Sequence, residues 1–413
     1  MFRKLLTLEQ AQRLVHQKIK PKPVGLEKIE ILKATHRVLA EDVTAKIDIP
    51  PFARSTVDGY AVRAEDTFGA EENNPIKLKV SGTVPIGEMP KIKVTRGKTV
   101  EIVTGAPIPE GADAVVMAEQ TERDEDTLRV FTSVVANANM MKAGGDIKKD
   151  EKVLKSGTFL GSREIGVLAA LGIRELLAYK VPVVAVFSTG PEITNPGQTL
   201  LPGRIFDINA YSLSAAVLES GGEPICLGVV PDDFEKLQKT LKRALECADI
   251  VLTSGGVSVG PKDVMPKVLA SVGTPGTILS GIAVKPGKPT TIGLIGNKPV
   301  FLLPGHPTSA LIVFHLLARP VIQLMGGRKT TVDQTVKALA SAKMFSAKGR
   351  KTLVMVTLKQ DKLGNTLAMP VFSGDSGAIT TLTKADGFVI IPENVQFVDF
   401  NQEVTVHLFE NKR

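Results

Sequence analysis

The sequence predicts an α/β protein built of several domains, and three observations lead to this prediction. The chain of 413 residues is longer than one hydrophobic core usually serves. Strands and helices alternate in its middle part, and the segments on both sides show the short alternating patterns typical of β-sheet. Hydrophobic residues make up 43% and charged residues 23% of the chain, which are ordinary values for a folded globular protein.

The N-terminal part combines amphipathic helix with short strands. Apolar residues spaced three and four positions apart predict a helix over residues 7–19, which Pro21 ends. A second helix is predicted over residues 163–171, where Gly172 stops it. Segments rich in β-branched residues, bounded by Gly, Pro and Asn, predict strands of a small β-rich domain within residues 60–140, at 76–80, 99–103 and 114–117.

From Val181 the pattern changes to strands separated by helices. Strands joined by helices pair in parallel through right-handed crossovers, and such sheets bind ligands at the loops beyond the carboxyl ends of the strands. The strands are predicted at 183–187, 224–230 and 250–253, and the helices at 211–219 and 234–246. After Gly327 the alternation predicts a small β-barrel or sandwich, with strands at 352–358, 387–391 and 403–408.

Membrane and redox patterns favour a protein of the cytoplasm. The longest apolar run, residues 311–325, is interrupted by His, Arg and Pro, so no membrane span of about 18 residues is predicted. Cys226 and Cys247 have no C-x-x-C partner, which argues against a disulfide framework or a thiolate metal cluster. A reducing compartment therefore fits the chain best.

The charge balance favours anionic partners. The excess of 51 Lys and Arg over 43 Asp and Glu gives a net charge of +8, but the basic residues are scattered along the chain. The chain has no Trp, only 5% aromatic residues and no base-stacking signature. We therefore expect no nucleic-acid partner.

A glycine-rich loop follows the strand predicted at residues 250–253. The segment TSGGVSVG, residues 253–260, offers backbone N–H groups and hydroxyls to an anion. Asp263 follows it, and a carboxylate beside a phosphate-binding loop suits Mg²⁺, which takes one or two carboxylates plus substrate oxygens and water. The alternative is a tight turn with a helix-capping aspartate, because such turns are common in α/β folds. On this segment alone both interpretations stay open.

A second segment, VKPGKP at residues 284–289, carries two lysines three positions apart. Prolines stiffen the chain, so that the ammonium groups of Lys285 and Lys288 can face one anion. The alternative is a solvated basic turn. The segment is not a P-loop, because no G-x-x-x-x-G-K-[ST] pattern occurs.

A third segment, LPGHPTS at residues 303–309, ends a strand and begins an apolar helix predicted over 310–317. Thr308 or Ser309 can cap this helix, and a helix N-terminus favours negative charge. His306 has no nucleophile in a recognisable relation to it, so we assign it no proton-transfer role.

In this order the three segments resemble the central domain shared by MoeA-type molybdopterin molybdenumtransferases and molybdopterin adenylyltransferases. Residues 55–62, STVDGYAV, are similar to the S-x-M-D-G-Y-A segment of the MoeA-type family, with Val57 in place of Met. Residues 104–116, TGAPIPEGADAVV, resemble its T-G-A-x-[IL]-P-x-G-A-D-x-V-[VI] signature. Because the stand-alone adenylyltransferases lack these two segments, the chain is identified as a member of the MoeA-type family.

The resemblance implies an α/β multidomain fold and an elongated homodimer. The active cleft would lie between the central domain of one subunit and the small β domain of the other. The resemblance is also compatible with a molybdopterin adenylyltransferase as a protein partner. The implied domains are a linking and dimerisation domain (1–50 with 141–177), a small β-rich domain (51–140), a central doubly wound α/β molybdopterin-binding domain (178–327) and a C-terminal β-barrel (328–413).

The implied reaction inserts molybdate, or tungstate, into adenylyl-molybdopterin with release of AMP, assisted by Mg²⁺. Lysines would neutralise the two anions that meet in the site, and carboxylates would hold the cation. The implied catalytic residues are Asp58, Thr104, Asp146, Asp232 and Asp263. The implied substrate-binding residues are Asn209, Ser254, Gly255, Gly256, Ser258, Lys285, Lys288, Pro304 and Ser309, and the metal ligands are Glu192, Asp232 and Asp263.

The chain departs from the family pattern at three positions. Pro191 stands where the family usually has Asp, Gly145 precedes Asp146 where the family has Glu, and His306 replaces Asn or Tyr. Two alternatives to the transferase are an adenylyltransferase, which shares the central domain, and a non-enzymic scaffold like the related domain of gephyrin. Turnover of adenylyl-molybdopterin with release of AMP separates the three.

Overall fold

The structure, a computed structural model, describes residues 5–256, 264–329, 334–371 and 380–409. Two predicted site residues, Ser258 and Asp263, lie outside the described residues.

The first helix, Leu8–Ile19, begins at a capping box. The Thr7 hydroxyl accepts a hydrogen bond from the backbone N–H of Gln10 at 3.2 Å, and the Gln10 side chain accepts one from the Thr7 N–H at 3.0 Å. The buried face of this helix, which includes Leu8 and Val15, packs in the same hydrophobic cluster as residues of the central sheet. The prediction of a helix over 7–19 is confirmed.

Short antiparallel pairs and one helix link the start of the chain to residues 140–179. The helix Ser162–Ala170, close to the predicted 163–171, packs on a 3₁₀ turn at Ile31–Ala34. The paired strands are Leu26–Glu30 with Glu175–Tyr179, Val43–Thr44 with Lys152–Leu154, and Arg54–Ser55 with Met140–Met141.

A six-stranded sheet forms the small β-rich part between residues 59 and 130. It is buried on both faces by separate clusters of apolar side chains. Its strands, in spatial order, are Ala114–Met117, Gly59–Val62, Lys98–Ile102, Ile76–Thr83, Thr127–Val130 and Thr121–Asp124. The strands predicted at 76–80, 99–103 and 114–117 are confirmed, with shifts of up to three residues at their ends.

The central sheet is also six-stranded. Its strands are β1 (Val183–Thr189), β2 (Glu223–Val230), β3 (Ile250–Ser254), β4 (Pro275–Ser280), β5 (Thr291–Ile295) and β6 (Lys298–Leu303), in the spatial order β2-β1-β3-β6-β5-β4. Strands β2, β1 and β3 pair in parallel, as predicted, and β6 pairs in parallel with β3. Strand β5 is antiparallel to both of its neighbours, β6 and β4, which was not predicted; β5 turns directly into β6 at Gly296 without a helical crossover.

Helices cover both faces of the central sheet. Helix α1 (Asn209–Glu219) packs in the cluster on one face, and α2 (Phe234–Cys247) and α3 (Met265–Val272) pack in the cluster on the other. Alternate residues of β1 point to the two clusters, which is the pattern of a sheet buried on both sides. A short strand pair, Ile193–Thr194 with Ile205–Phe206, lies between β1 and α1. The doubly wound α/β architecture is confirmed.

The apolar segment after β6 forms one long helical stretch, Pro307–Met325. An α-helix (Pro307–Val313) continues through a π-helical turn (Phe314–Ala318) into a second α-helix (Arg319–Met325). The predicted helix over 310–317 was too short. Pro320 lacks a backbone N–H and usually ends a helix, but here the π turn just before it lets the helix continue. By length and composition this stretch could cross a membrane, but 78% of its most apolar window is buried inside the protein, as in a core helix.

The C-terminal part is a closed β-barrel, as predicted. The barrel is closed because the strand Lys351–Gln360 pairs with Thr366–Pro370 on one side and with Gly387–Ile391 on the other. The remaining two strands connect these neighbours and complete the ring. A short helix, Thr380–Lys384, and a strand pair, Met344–Phe345 with Phe397–Val398, flank it. The barrel strands are Thr335–Ala340, Lys351–Gln360, Thr366–Pro370, Gly387–Ile391 and Glu403–Leu408, and Val284–Lys285 adds to them in parallel from outside.

Candidate active site

The loop after β3 approaches the end of β1 so closely that it requires glycine. Gly255 has φ +95°, and a Cβ there would lie 2.0 Å from the Thr189 carbonyl oxygen. Gly256 follows at φ +63°. A side chain at Gly255 would therefore both strain the backbone and collide with β1. The glycine-rich segment thus lies at the carboxyl ends of parallel strands, where α/β sheets bind ligands.

Asn209, at the start of α1, joins two of the predicted segments. Its Nδ2 donates to Ser254 Oγ at 2.7 Å and to the Gly305 carbonyl oxygen at 2.7 Å. Ser254 Oγ in turn donates to the Pro304 carbonyl oxygen at 2.9 Å. The structure therefore brings Asn209, Ser254, Gly255 and Pro304 together, all of which the resemblance implied as substrate contacts.

Three buried polar atoms near this network have no hydrogen-bond partner among the described residues. They are Asn209 Oδ1, Asp207 Oδ2 and Thr308 Oγ1. Buried polar atoms nearly always have partners, so unpaired ones beside a ligand crevice indicate groups that a ligand or water satisfies. The other oxygen of Asp207 is already used, because it accepts from Ser188 Oγ at 2.7 Å and from the Ala210 N–H at 3.1 Å.

Two of the three predicted metal-binding carboxylates flank the end of β1. Asp232 Oδ1 accepts a hydrogen bond from Thr189 Oγ1 at 2.5 Å, and a Cβ at Gly256 would lie 3.5 Å from the same oxygen. A Cβ at Gly190 would lie 2.8 Å from Glu192 Oε2. Both carboxylates are solvent-exposed. Within the part of the chain that the structure describes, no group of three or more His, Cys, Asp or Glu is arranged to hold a metal ion.

The two predicted anion-binding lysines lie on a tightly folded turn. Gly287, between them, has φ +115° and is buried against Val313, and its carbonyl oxygen accepts from Thr290 Oγ1 at 2.7 Å. Lys285 and Lys288 are both exposed, and neither forms an ion pair with another described residue. Their charges are therefore available to an anion. Ser309 is buried in the first turn of the helix Pro307–Val313.

Asp58 and Thr104, taken from two separate sequence segments, meet at the surface of the small β-rich part. Asp58 Oδ1 accepts from the Thr104 backbone N–H at 2.7 Å and from the Thr104 hydroxyl at 2.7 Å. These two hydrogen bonds, the backbone bond first, hold the pKa of the Asp58 carboxyl below its usual value. Next to them Gly59 is required, because a Cβ would lie 1.9 Å from the Val116 carbonyl oxygen.

Asp146 forms no hydrogen bond with this pair among the described residues. Its backbone N–H donates to the Ile49 carbonyl oxygen at 3.0 Å, and its exposed carboxylate has no hydrogen-bond partner among the described residues. None of the hydrogen bonds of Asp58, Thr104 or Asp146 reaches the crevice of the central sheet within the chain.

Three comparisons with known proteins cover the chain almost end to end. Residues 6–172 match the MoeA N-terminal region (domain I and II), residues 185–324 a probable molybdopterin binding domain, and residues 337–409 the MoeA C-terminal region (domain IV). The molybdopterin molybdenumtransferase of Nostoc sp. is 33% identical, with 92% of this chain and 88% of that protein aligned. The chain belongs to the MoeA family. It is therefore related to enzymes of molybdenum cofactor biosynthesis over its whole length, and not only in its central domain.

Further MoeA-type relatives agree. The molybdopterin molybdenumtransferase of Bacillus subtilis is 32% identical over 94% of this chain and 90% of its own length. A crystal structure of the molybdopterin biosynthesis MoeA protein from Pyrococcus horikoshii is 42% identical, covers 99% of this chain and 100% of its own, and superposes with a TM-score of 0.83. The resemblance inferred from the motifs is confirmed.

The sequence did not point to Asp207 or Thr189 in the MoeA crevice, and it suggested Thr308 or Ser309 only as a helix cap, whereas the helix begins after His306 and no side chain caps it. Asp207 and Thr189 hold neighbouring site residues through hydrogen bonds, and Thr308 has a buried hydroxyl without a partner among the described residues. The available signal was their position, because each follows or ends an apolar segment at the carboxyl edge of the sheet. Their hydrogen bonds depend on the fold and could not be deduced from spacing.

Proposed function

We propose that this MoeA protein inserts molybdate, or tungstate, into adenylyl-molybdopterin and releases AMP. The observation that carries the proposal is the network in which Asn209 joins Ser254 to the loop at Gly305. Buried polar atoms without partners, such as Asn209 Oδ1 and Asp207 Oδ2, lie near this network, and the loop backbone at Gly255 approaches the end of β1 closely. Such a surface suits a ligand with several hydrogen-bonding groups and phosphates, as adenylyl-molybdopterin has.

The residues present fit a bound Mg²⁺. Asp232 and Glu192 flank the loop at Thr189 and Gly190, and Mg²⁺ typically takes one or two carboxylates together with substrate phosphates and water. We propose that Asp263, which follows the glycine-rich segment 253–260 in the sequence, completes this set. When bound, Mg²⁺ would neutralise charge on the phosphoanhydride. The Thr189 hydroxyl holds one oxygen of Asp232 and so orients its carboxylate.

The lysines would hold the anions. Lys285 and Lys288 are exposed and without ion-pair partners among the described residues, so their charges can offset those of the phosphates and of molybdate. The backbone of the loop at Gly255 and Gly256 would approach the ligand without obstruction from side chains. The Gly256 N–H would be the donor, because the Gly255 N–H already donates to the Leu303 carbonyl oxygen at 3.3 Å. Asn209 Oδ1 and Thr308 Oγ1 are buried hydrogen-bonding groups without a partner among the described residues, and they would need to become accessible to contact the ligand.

We further propose that the site is completed in a homodimer. The Asp58 and Thr104 pair is exposed, and its hydrogen bonds do not reach the crevice of the same chain. The ionised Asp58 carboxylate of one subunit would then face the crevice of the other subunit, and Asp146 of that same first subunit would join it. We also propose the domain boundaries 1–50 with 141–177, 51–140, 178–327 and 328–413, and a location in the cytoplasm.

Incubation of the purified protein with adenylyl-molybdopterin, Mg²⁺ and molybdate or tungstate tests the function, with AMP and active cofactor as the products followed. We expect AMP release to depend on the oxyanion and on Mg²⁺. An adenylyltransferase would instead consume ATP and molybdopterin, and a scaffold would release no AMP. Either result would overturn the proposed reaction.

Mixing two inactive variants tests the dimer. Asp58→Ala and Asp263→Ala proteins should regain AMP release on subunit exchange, because some heterodimers then hold one intact cleft. No recovery despite demonstrated exchange would show that both residues act within one chain.

Asp263→Asn keeps the size of the side chain, but an amide is a poorer cation ligand than a carboxylate, so AMP release should fall at least about tenfold with little change in melting.

A further inference from the structure

An exposed apolar loop follows one strand of the small β-rich part. We call this loop, residues 85–90 with the sequence PIGEMP, the tip loop. Ile86 is 70% and Met89 is 65% exposed, although both side chains are large and apolar. Pro85 and Pro90 restrict the backbone at both ends of the loop. The loop therefore presents two apolar side chains to solvent on a backbone with little freedom to bury them.

The tip loop and the Asp58 and Thr104 pair share one edge of the six-stranded sheet. The strands Ile76–Thr83 and Lys98–Ile102 run parallel and both end at this edge, just before the tip loop and Thr104 respectively. The strand Gly59–Val62 is antiparallel to Lys98–Ile102 and begins at the same edge, just after Asp58. The two outer strands flank the middle one, so Asp58 and the start of the tip loop are about 10 Å apart.

A second exposed apolar loop borders the crevice of the central sheet. We call residues 193–206, between the end of β1 and the start of α1, the rim loop. It begins directly after Glu192, a proposed metal ligand, and the backbone N–H of Ile205 donates to the Glu192 carbonyl oxygen at 2.8 Å. The loop then leads into Asn209. Four of its side chains are large, apolar and between 40% and 54% exposed: Leu200, Leu201, Ile205 and Phe206.

Each of the two loops contains one charged residue, and the charges are opposite. Glu88 is the charged residue of the tip loop and lies between Ile86 and Met89 in the sequence. Arg204 is the charged residue of the rim loop and directly precedes Ile205. Both charged side chains are exposed, and neither forms an ion pair within the part of the chain that the structure describes. An apolar loop with one carboxylate is thus complementary to an apolar loop with one guanidinium.

The proposed homodimer would bring the two loops together. In that dimer the Asp58 carboxylate of one subunit faces the crevice of the other, and the present inference rests on this arrangement. Because the tip loop shares a sheet edge with Asp58 and the rim loop borders the crevice, docking of Asp58 carries the tip loop to the rim loop. Apolar side chains exposed as a group mark contact surfaces, whereas single ones are normal on any protein.

We propose that the tip loop of one subunit docks on the rim loop of the other. The apolar side chains of the two loops would pack together, and Glu88 would pair with Arg204. The apolar contact would hold the small β-rich part on the partner, and the ion pair would select the orientation in which Asp58 faces the crevice. The surface is therefore specific for a second copy of this chain.

Cross-linking of the full chain tests the contact without any turnover. Cys226→Ser and Cys247→Ser first remove both native cysteines, and Met89→Cys and Leu201→Cys are then combined in one chain. A short bis-maleimide should join the subunits into a covalent dimer on a denaturing gel, whereas either new cysteine alone should give none. As a matched control, Val135→Cys with Leu201→Cys should give no covalent dimer. Val135 is 72% exposed, and its loop is hydrogen-bonded to Asp113 at the opposite edge of the same sheet.

Charge reversal in the cross-linking variant tests the ion pair. Glu88→Arg alone or Arg204→Glu alone should slow cross-linking about fivefold or more, because like charges then meet between the loops. The two reversals together should restore the rate. Glu72→Arg, at an exposed turn before the strand Ile76–Thr83 and so at the opposite edge, should leave it unchanged.

The outcomes separate this contact from the proposed reaction. A covalent link within single chains, equal cross-linking through Val135→Cys, or a reversal that its partner does not rescue would overturn the contact. If mixed Asp58→Ala and Asp263→Ala proteins regain AMP release while no covalent dimer forms, the contact fails and the shared site stands. A covalent dimer with rescue by the double reversal supports the contact even if no AMP is released.

Discussion

Replacing Gly255 by alanine tests whether the crevice depends on close approach between the loop after β3 and the end of β1. The backbone there has φ +95°, which costs a residue with a side chain about 1–3 kcal/mol. In addition, the new Cβ would lie 2.0 Å from the Thr189 carbonyl oxygen, so the backbone must shift. We expect the central domain to lose about 3 kcal/mol or more of unfolding free energy, since both costs act together.

A second glycine of the same crevice provides the control. At Gly305 a Cβ would meet only the Gly255 Cα, at 3.9 Å, which is an ordinary contact. Gly305→Ala should therefore be neutral or stabilise the domain by about 0.4–1 kcal/mol, through the lower entropy of the unfolded chain.

Hydrogen exchange of the β1 and β3 amides measures the local free energy of opening in both variants. The Gly255→Ala protein should exchange much faster at these strands, and a thermal scan should show its earliest transition lowered by several degrees, at about 2–4 °C per kcal/mol. Equal protection in the two variants would refute the reasoning, because the close approach would then not constrain the loop.

The remaining predictions concern single side chains. Thr104→Val should raise the pKa of Asp58 part of the way to its usual value, because the backbone N–H of residue 104 still donates; a carboxyl NMR titration measures it, and an unchanged pKa would contradict the pairing. Since the folded-state pKa is depressed, stability from ionised Asp58 is present above the unfolded-state pKa and is lost as the pH falls through the folded-state pKa, so the variant should lose it at a higher pH. Lys285→Gln and Lys288→Gln should each weaken binding of molybdate or of adenylyl-molybdopterin by about 1–3 kcal/mol in calorimetry, and non-additively together; unchanged affinities would remove both from the site. Asn209→Ala should destabilise the central domain by about 1–3 kcal/mol in denaturant unfolding, because two hydrogen bonds are lost, and an effect under about 0.5 kcal/mol would contradict their importance.

Sequence patterns predicted the parts of this fold in which periodicity and segment order carry the information. The strand and helix alternation from Val181 onward and three of the five barrel strands, those predicted at 352–358, 387–391 and 403–408, are confirmed close to their predicted limits. The antiparallel pair β4 and β5 escaped prediction, because short apolar strands without an intervening helix carry no sign of their direction. The predicted helix ended at residue 317, whereas the helix continues to Met325, because Pro320 within it would normally signal a helix end.

Within the candidate site, motifs identified residues but not their contacts. Asp58 and Thr104 were selected from separate segments and lie 46 positions apart. Only the fold shows that the Thr104 N–H and hydroxyl donate to the Asp58 carboxylate. The donor role of Asn209 also depends on two distant loops meeting at its amide. Asp207 was not selected, because whether a polar atom is buried and unpaired is a property of the tertiary structure.

The short strand Val284–Lys285 has consequences for how this family can vary. Its Lys285 is one of the residues proposed to hold the anions, and its backbone pairs with the barrel strand Lys351–Gln360. The neighbouring Ala283 donates to the Leu6 carbonyl oxygen at 2.8 Å and accepts from the Lys351 N–H at 3.0 Å. Residues near the start of the chain and in the barrel therefore both support the segment that carries this proposed anion-binding charge. If Lys285 holds the oxyanion, substitutions in the barrel, remote from the crevice in sequence, would change its position and so the choice of oxyanion while every residue of the crevice stays the same.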